Sequence, residues 1–212
     1  MGMDIRKITT QSRIKEGFII TLSTKRLSES TTNDIVNAAE ISKKTFYNYY
    51  QNKHELLREI ENELLSGLKQ ALNQDRKKLS NLGHLPKSEE IRNLANTAFD
   101  KTIAYCNEHK VYLSRLLSDN GDIRFLQMIV KLANDEFDAR VPYLFGNIKI
   151  VSRSIMPFTF IKTIYVNTII NLLMLWESDP DSLSTNDIKD IAGLLQTKSP
   201  VDLIDMYKEY FG

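Results

Sequence analysis

Eight glycines and five prolines are all the backbone punctuation that 212 residues carry. Tight turns, bulges and phosphate-cradling loops are built from those two residues. A chain so poor in them is ill suited to a sandwich, a barrel or a Gly-rich nucleotide loop, and helices are what remains. Periodicity agrees, because apolar residues recur at three- and four-residue spacing through nearly every segment. The expected class is therefore all-α. Hydrophobic residues at 42% and charged residues at 26% let a chain of this length bury a core. They also exclude the low-hydrophobicity, high-charge regime of disorder. A single cysteine, Cys106, rules out an internal disulfide and fits a reducing, cytoplasmic setting. The first residues show no apolar signal region and no lipidation pattern.

The stripes and caps order the chain. Ile14, Phe18, Ile19 and Leu22 share one face of a first helix. Thr31-Thr32-Asn33-Asp34 opens a second, short helix, and Ser42 offers a new N-cap a few residues later. Asn52 caps a long fourth helix with the stripe Leu56, Leu57, Ile60, Leu64, Leu68 and Ala71, reaching toward Leu79. After the Gly83–Ser88 break, one helix is expected from Ser88 through Cys106. A short helix from Val111 to Leu117 precedes Asp119-Asn120-Gly121-Asp122, the strongest turn signal in the chain. A helix over 122–140 follows, then an irregular stretch from Pro142. Ile155–Trp176 is almost wholly apolar, and Ser178–Asp181 breaks it. A helix over 184–197 and a short amphipathic tail from Pro200 complete the reading, and the tail has no assigned role.

Residues 31–53 read TTNDIVNAAEISKKTFYNYYQNK. Two short helices joined by three or four residues match helix-turn-helix spacing, in which the second helix enters the major groove. Ser42, Lys43, Lys44, Thr45, Tyr47, Asn48 and Tyr49 supply hydroxyl, amide and cationic groups for phosphates and base edges. Thr32 and Lys53 are further candidates for phosphate contacts. Residues 1–53 hold nine Lys+Arg against five Asp+Glu, so the basic excess sits where an anionic partner would bind. A helical hairpin with a merely solvated basic face has the same spacing.

The motif resembles the N-terminal domain of TetR-family transcriptional regulators. The resemblance rests on Asp34-Ile35, Ala38-Ala39, Ile41-Ser42, Thr45-Phe46-Tyr47, Tyr49-Tyr50, Lys53 and Leu56-Leu57. Two positions depart from the family pattern. Glu40 stands where glycine is usual in the turn, and Lys44 where glycine is frequent. Tyr105–Lys110, Tyr112, Leu116–Gly121, Phe125-Leu126 and Trp176-Glu177 are similar to the regulatory domain of the dihydroxyacetone-kinase regulator group typified by DhaS. These resemblances imply a DNA-binding domain over 1–53 and a helical regulatory and dimerisation domain over 54–212. They imply a homodimer on a double-stranded DNA operator, a repressor answering a small-molecule effector. The alternative they leave is a DhaS-like coactivator acting through a protein partner.

For the effector, polar or adaptable groups on apolar faces are the candidates: Thr102, Cys106, Tyr112, Met128, Phe160, Thr163, Asn167 and Asn171. Asn167 and Asn171 are four apart, so they share a helix face; pairing across a dimer axis is the competing role. The dimer face is expected to carry Ile161, Tyr165, Ile169, Leu172 and Trp176 with Ile188, Ile191 and Leu195. Ile155–Trp176 is long enough to span a bilayer. It nevertheless contains Lys162, Asn167, Asn171 and Pro157, and no basic flank follows, so a buried or interface helix is expected. Cys106-x-x-His109 lacks a second cysteine, so no metal site is expected. With no nucleophile–base order and no phosphate loop, neither a catalytic site nor a cofactor is expected.

Overall fold

The computed structural model describes residues 2–95, 97–146, 157–178 and 183–211, and every regular element among them is a helix. In chain order these are α1 (Gly2–Leu22), α2 (Thr32–Ala38), α3 (Lys43–Tyr47), α4 (Lys53–Ser80), α5 (Ser88–Ala95) and α6 (Asp100–Glu108). There follow α7 (Lys110–Leu117), α8 (Ile123–Phe145), α9 (Phe158–Ser178), α10 (Thr185–Thr197) and α11 (Pro200–Phe211). The all-α expectation holds. The expected helix start at Ile155 and the Asp179–Asp181 break lie outside the described residues.

Capping sets several boundaries where the sequence placed them. Thr31 and Asp34 form a reciprocal capping box on α2, and Ser184 and Asp187 form another on α10. Asn52 Oδ1 accepts from the His54 and Glu55 amides, both at 3.0 Å, and opens α4. Two elements depart from the sequence reading. The helix expected from Ser88 to Cys106 is two helices. Buried Asp75 of α4 causes the second start: its carboxylate accepts from the Lys101 and Thr102 amides at 2.9 Å and from the Thr102 hydroxyl at 2.8 Å. It caps α6 from outside, a long-range contact that no local pattern carries. The other departure is α8, which continues through Pro142 and ends at Gly146, whose φ is 66°.

The chain packs into two compact units, residues 1–66 with 109–128, and residues 67–108 with 129–212. Both α4 and α8 are shared between them. In the first unit Ile14, Phe18, Leu22, Ile35, Phe46, Leu56 and Phe125 are fully buried. In the second, Phe99, Ile103, Val166, Leu172, Trp176, Ile188 and Ala192 are the core, and Trp176 donates its indole N–H to Leu183 O at 3.0 Å. The expected dimer face is therefore largely interior. Leu172, Trp176 and Ile188 are buried, Ile169 lines a cavity, and the Tyr165 hydroxyl donates to Gln196 at 2.8 Å. The face that α9 leaves open runs through Phe160, Ile164, Asn167, Asn171 and Leu175. The helix is apolar nearly all round, so periodicity could not say which face turns inward.

Candidate nucleic-acid interface

Helix α3 begins at Ser42, whose hydroxyl accepts from the Thr45 amide at 3.0 Å and meets the Thr45 hydroxyl at 2.8 Å. Phe46 turns into the core against Tyr50, with ring centroids 5.9 Å apart. Tyr50 is buried and donates to Glu59 of α4 at 3.0 Å; burial, first, and that carboxylate raise its pKa well above the phenol range. Because these two aromatics anchor the helix, its other side faces solvent. Lys43, Lys44, Tyr47 and Asn48 are all exposed, Tyr47 at 55%. Thr45 and Tyr49 are half-buried, as is Thr32 on α2.

The turn before α3 is the unusual part. Glu40 has φ 51°, the left-handed region where glycine is the easy choice. Arg13 of α1 holds the turn in place: its Nη2 donates to Ala39 O at 3.0 Å and Glu40 O at 3.1 Å, and lies 3.7 Å from the Glu40 carboxylate. Gly17 of α1 allows the close approach, since a Cβ there would lie 2.6 Å from the Ala39 Cβ. Arg13 and Gly17 carry no signal in the motif itself; only their one-turn spacing on the neighbouring helix could have pointed to them.

Lys53 does not reach outward. Its ammonium donates to Leu27 O at 2.7 Å and Ser30 O at 2.5 Å, so it closes the α1–α2 connection. Burial lowers its pKa, with Asp34 opposing the shift. The expected phosphate contact is thus replaced by an internal role. Asn120 acts on the same connection: its carbonyl accepts from the Leu27 amide at 2.8 Å, and its side-chain amide donates to Leu22 O at 3.2 Å. The Asp119–Asp122 turn belongs to this unit although it lies far along the sequence. Asp34 is held down to about 2 by the Lys25 ammonium and by hydrogen bonds from Thr31.

Residues 23–60 match the model of the bacterial regulatory proteins of the tetR family. The matched segment spans α2 and α3 and the start of α4. Its solved neighbours include a TetR transcriptional regulator from Streptococcus agalactiae, 18% identical, with a TM-score of 0.56 over 92% of this chain and 97% of that one. That likeness extends the TetR-type fold over nearly the whole chain. A fatty acid degradation regulator, FadR, from Bacillus halodurans is 11% identical, with a TM-score of 0.48 over 90% of this chain and 96% of that one. No curated protein matches the chain. The match over residues 23–60 supports DNA binding and transcription regulation as the function class.

The proposed effector residues are not brought together. Thr102 lines an apolar cavity in the second unit, but its hydroxyl is committed to Asp75. Cys106 is buried outside that lining. Phe160, Thr163, Asn167 and Asn171 are exposed on α9. Tyr112 and Met128 belong to the first unit, Tyr112 half-buried with its pKa pushed up to about 12 by burial and by Glu16 and Glu63. No group of three or more His, Cys, Asp or Glu that could hold a metal ion occurs among the described residues.

Proposed function

We propose that the chain is a cytoplasmic, ligand-responsive, homodimeric repressor that binds a double-stranded operator through α3. The observation that carries this reading is the outward set on α3: Lys43, Lys44, Tyr47 and Asn48 exposed, with Phe46 and Tyr50 locked beneath them. A short helix with two cations, an amide and a phenol on its open side fits major-groove docking. Thr32, Ser42, Thr45 and Tyr49 flank it. Lys53 serves by shaping the α1–α2 connection rather than by touching phosphate.

Dimerisation is assigned to the open face of α9. Phe160, Ile164 and Leu175 are 62%, 60% and 70% exposed there, and so large an apolar exposure marks an interface. The same helix is apolar enough to cross a membrane, with a mean hydropathy of 1.5. Asn167 and Asn171 sit in the middle of the open face, however, and two amides facing lipid would lack partners. Across a two-fold axis they can pair with their own copies, the competing role noted above. Because α4 and α8 are each shared by both units, an effector that favours one conformation of the second unit changes operator affinity through its differential affinity for the two states.

Titration of DNA from upstream of the chain's own gene, followed by fluorescence anisotropy, tests the reading. Affinity is expected to fall steeply with salt as condensed counterions are released. Lys44→Ala should lower the salt slope by about 1, whereas Asn48→Ala should relax base preference. A second reading is a DhaS-like coactivator bound to a protein partner. Glu40 favours it by placing an exposed acid beside α3, and α11 favours it with exposed Val201, Ile204 and Tyr207. Absence of upstream binding, with no salt dependence, would select that alternative.

A further inference from the structure

The second unit contains a buried guanidinium one of whose donors its own residues leave unpaired. Glu136 of α8 sits between two guanidinium groups: Arg140 Nε donates to one carboxylate oxygen at 2.7 Å, and Arg76 Nη1 to the other at 2.5 Å. Arg140 and Glu136 are only 5% and 6% exposed, whereas a quarter of the Arg76 side chain stays in solvent. Arg140 Nη1 donates to Ala98 O at 3.0 Å, and the guanidinium lies 4.4 Å from the centre of the Phe99 ring. Its Nη2 is buried and has no hydrogen-bond partner. Native structures seldom leave a charged donor in that condition, since desolvation of a charge is offset only by pairing.

Arg140 also stands where two cavities meet. One, of about 70 Å³, is lined by Leu72, Phe99, Ile129, Phe137 and Ile169. The other, of about 410 Å³, is lined by Val141, Leu144, Phe158 and Ile161. Phe137, Arg140 and Tyr165 line both. The Tyr165 hydroxyl is already committed to Gln196 and the Thr102 hydroxyl to Asp75. Arg140 Nη2 is thus the polar donor left over in apolar surroundings. A site of that make-up selects a ligand with an apolar body and one acceptor head, and because the unpaired donor belongs to a guanidinium, the head it pairs best with is anionic.

We infer that this site binds an apolar monoanion, a carboxylic acid whose carboxylate accepts from Arg140 Nη2 while its body occupies the adjoining cavities. The regulatory meaning rests on the effector reading proposed above; the binding itself does not. Aliphatic and aromatic acids share the required chemistry.

Calorimetric titration of the full chain with decanoate, 3-phenylpropionate, 1-decanol and decyltrimethylammonium decides it. At least one acid is expected to bind one per chain, about tenfold or more tighter than decanol, as a charge-assisted hydrogen bond requires. The cation should not bind, and the tighter of the two acids tells an aliphatic from an aromatic body. Arg140→Gln should bring the acid down to the alcohol's affinity and leave the alcohol unchanged; Arg140→Lys should retain part of the preference. Equal affinity for acid and alcohol in the unaltered protein, preference for the cation, or no saturable binding of either acid overturns the inference, and none of these outcomes needs a variant that folds. If an acid binds and operator affinity does not respond, the effector reading fails while the site stands.

Discussion

In the first unit, the residues that the sequence spaces for burial are the ones buried: Phe18, Ile35, Phe46 and Leu56 are all at 0% exposure. In the second, α9 is the most apolar helix of the chain, yet Ile164 and Leu175 remain mostly exposed while Tyr165, Ile169 and Leu172 turn inward. The contrast separates two kinds of information. Caps, short helices and alternating polar and apolar positions fix a face locally. A helix without a polar face has its orientation fixed by its neighbours.

The largest expected effect lies in the first unit. Phe46→Ala should cost about 3–5 kcal/mol in urea unfolding, because the side chain is fully buried and packs against Tyr50. A loss below about 1 kcal/mol would mean that α3 is held by its caps rather than by packing.

In the second unit the sharpest test is a pair of charges on α9. Ile164→Glu should leave each protomer folded and weaken the dimer by about 2–3 kcal/mol, seen as a shift to monomer in sedimentation velocity at micromolar concentration. Ile169→Glu faces the interior cavity and should instead lower the melting temperature of the unit. The reverse pattern would restore the face that periodicity alone suggested.

A smaller effect is expected at Glu61 of α4. Its Oε1 is buried without a hydrogen-bond partner, and burial, with Asp122 nearby, raises its pKa to about 7 against the pull of Arg124 and Arg58. An acid with a raised folded-state pKa holds its proton longer in the native state than in the unfolded one. Its contribution therefore makes stability fall as pH rises between the unfolded value, near 4.5, and about 7. Glu61→Gln should stabilise the protein by about 1–2 kcal/mol at pH 8 and by little at pH 5. Equal gains at both values would mean that the carboxylate is not the titrating group.

The smallest effect belongs to the turn. Glu40→Gly relieves the left-handed residue and should add about 0.5–1 kcal/mol, less whatever the loss of the Arg13 ion pair removes. No gain, measured by chemical denaturation, would show that the Arg13 hydrogen bonds already offset the strain.

Most of the first unit was legible because its signals are short-range: Thr31 with Asp34, Ser42 with Thr45, and Phe46 with Tyr50 are at most four residues apart. What escaped there was the use of Lys53 and Asn120 to hold one connection, since nothing nearby announces a partner 26 or 98 residues away. In the second unit Asp75 divides a helix that reads as continuous, again across 27 residues. The binding residues were the least legible. Polar groups on an apolar stripe single out Asn167 and Asn171, while Arg140, at the end of the 122–140 helix, carries no local signal. Its importance depends on burial beside Glu136 and on one nitrogen left over, and neither can be read from spacing.

The indole of Trp176, the single tryptophan of the chain, lies almost wholly out of solvent in the second unit. The first unit has four tyrosines but no tryptophan. Red-edge excitation therefore makes the chain its own spectroscopic label: emission reports on one unit alone, while circular dichroism sums both. Divergence of the two signals along a denaturant series would reveal whether helices α4 and α8 transmit unfolding from one unit to the other or let each melt at its own midpoint.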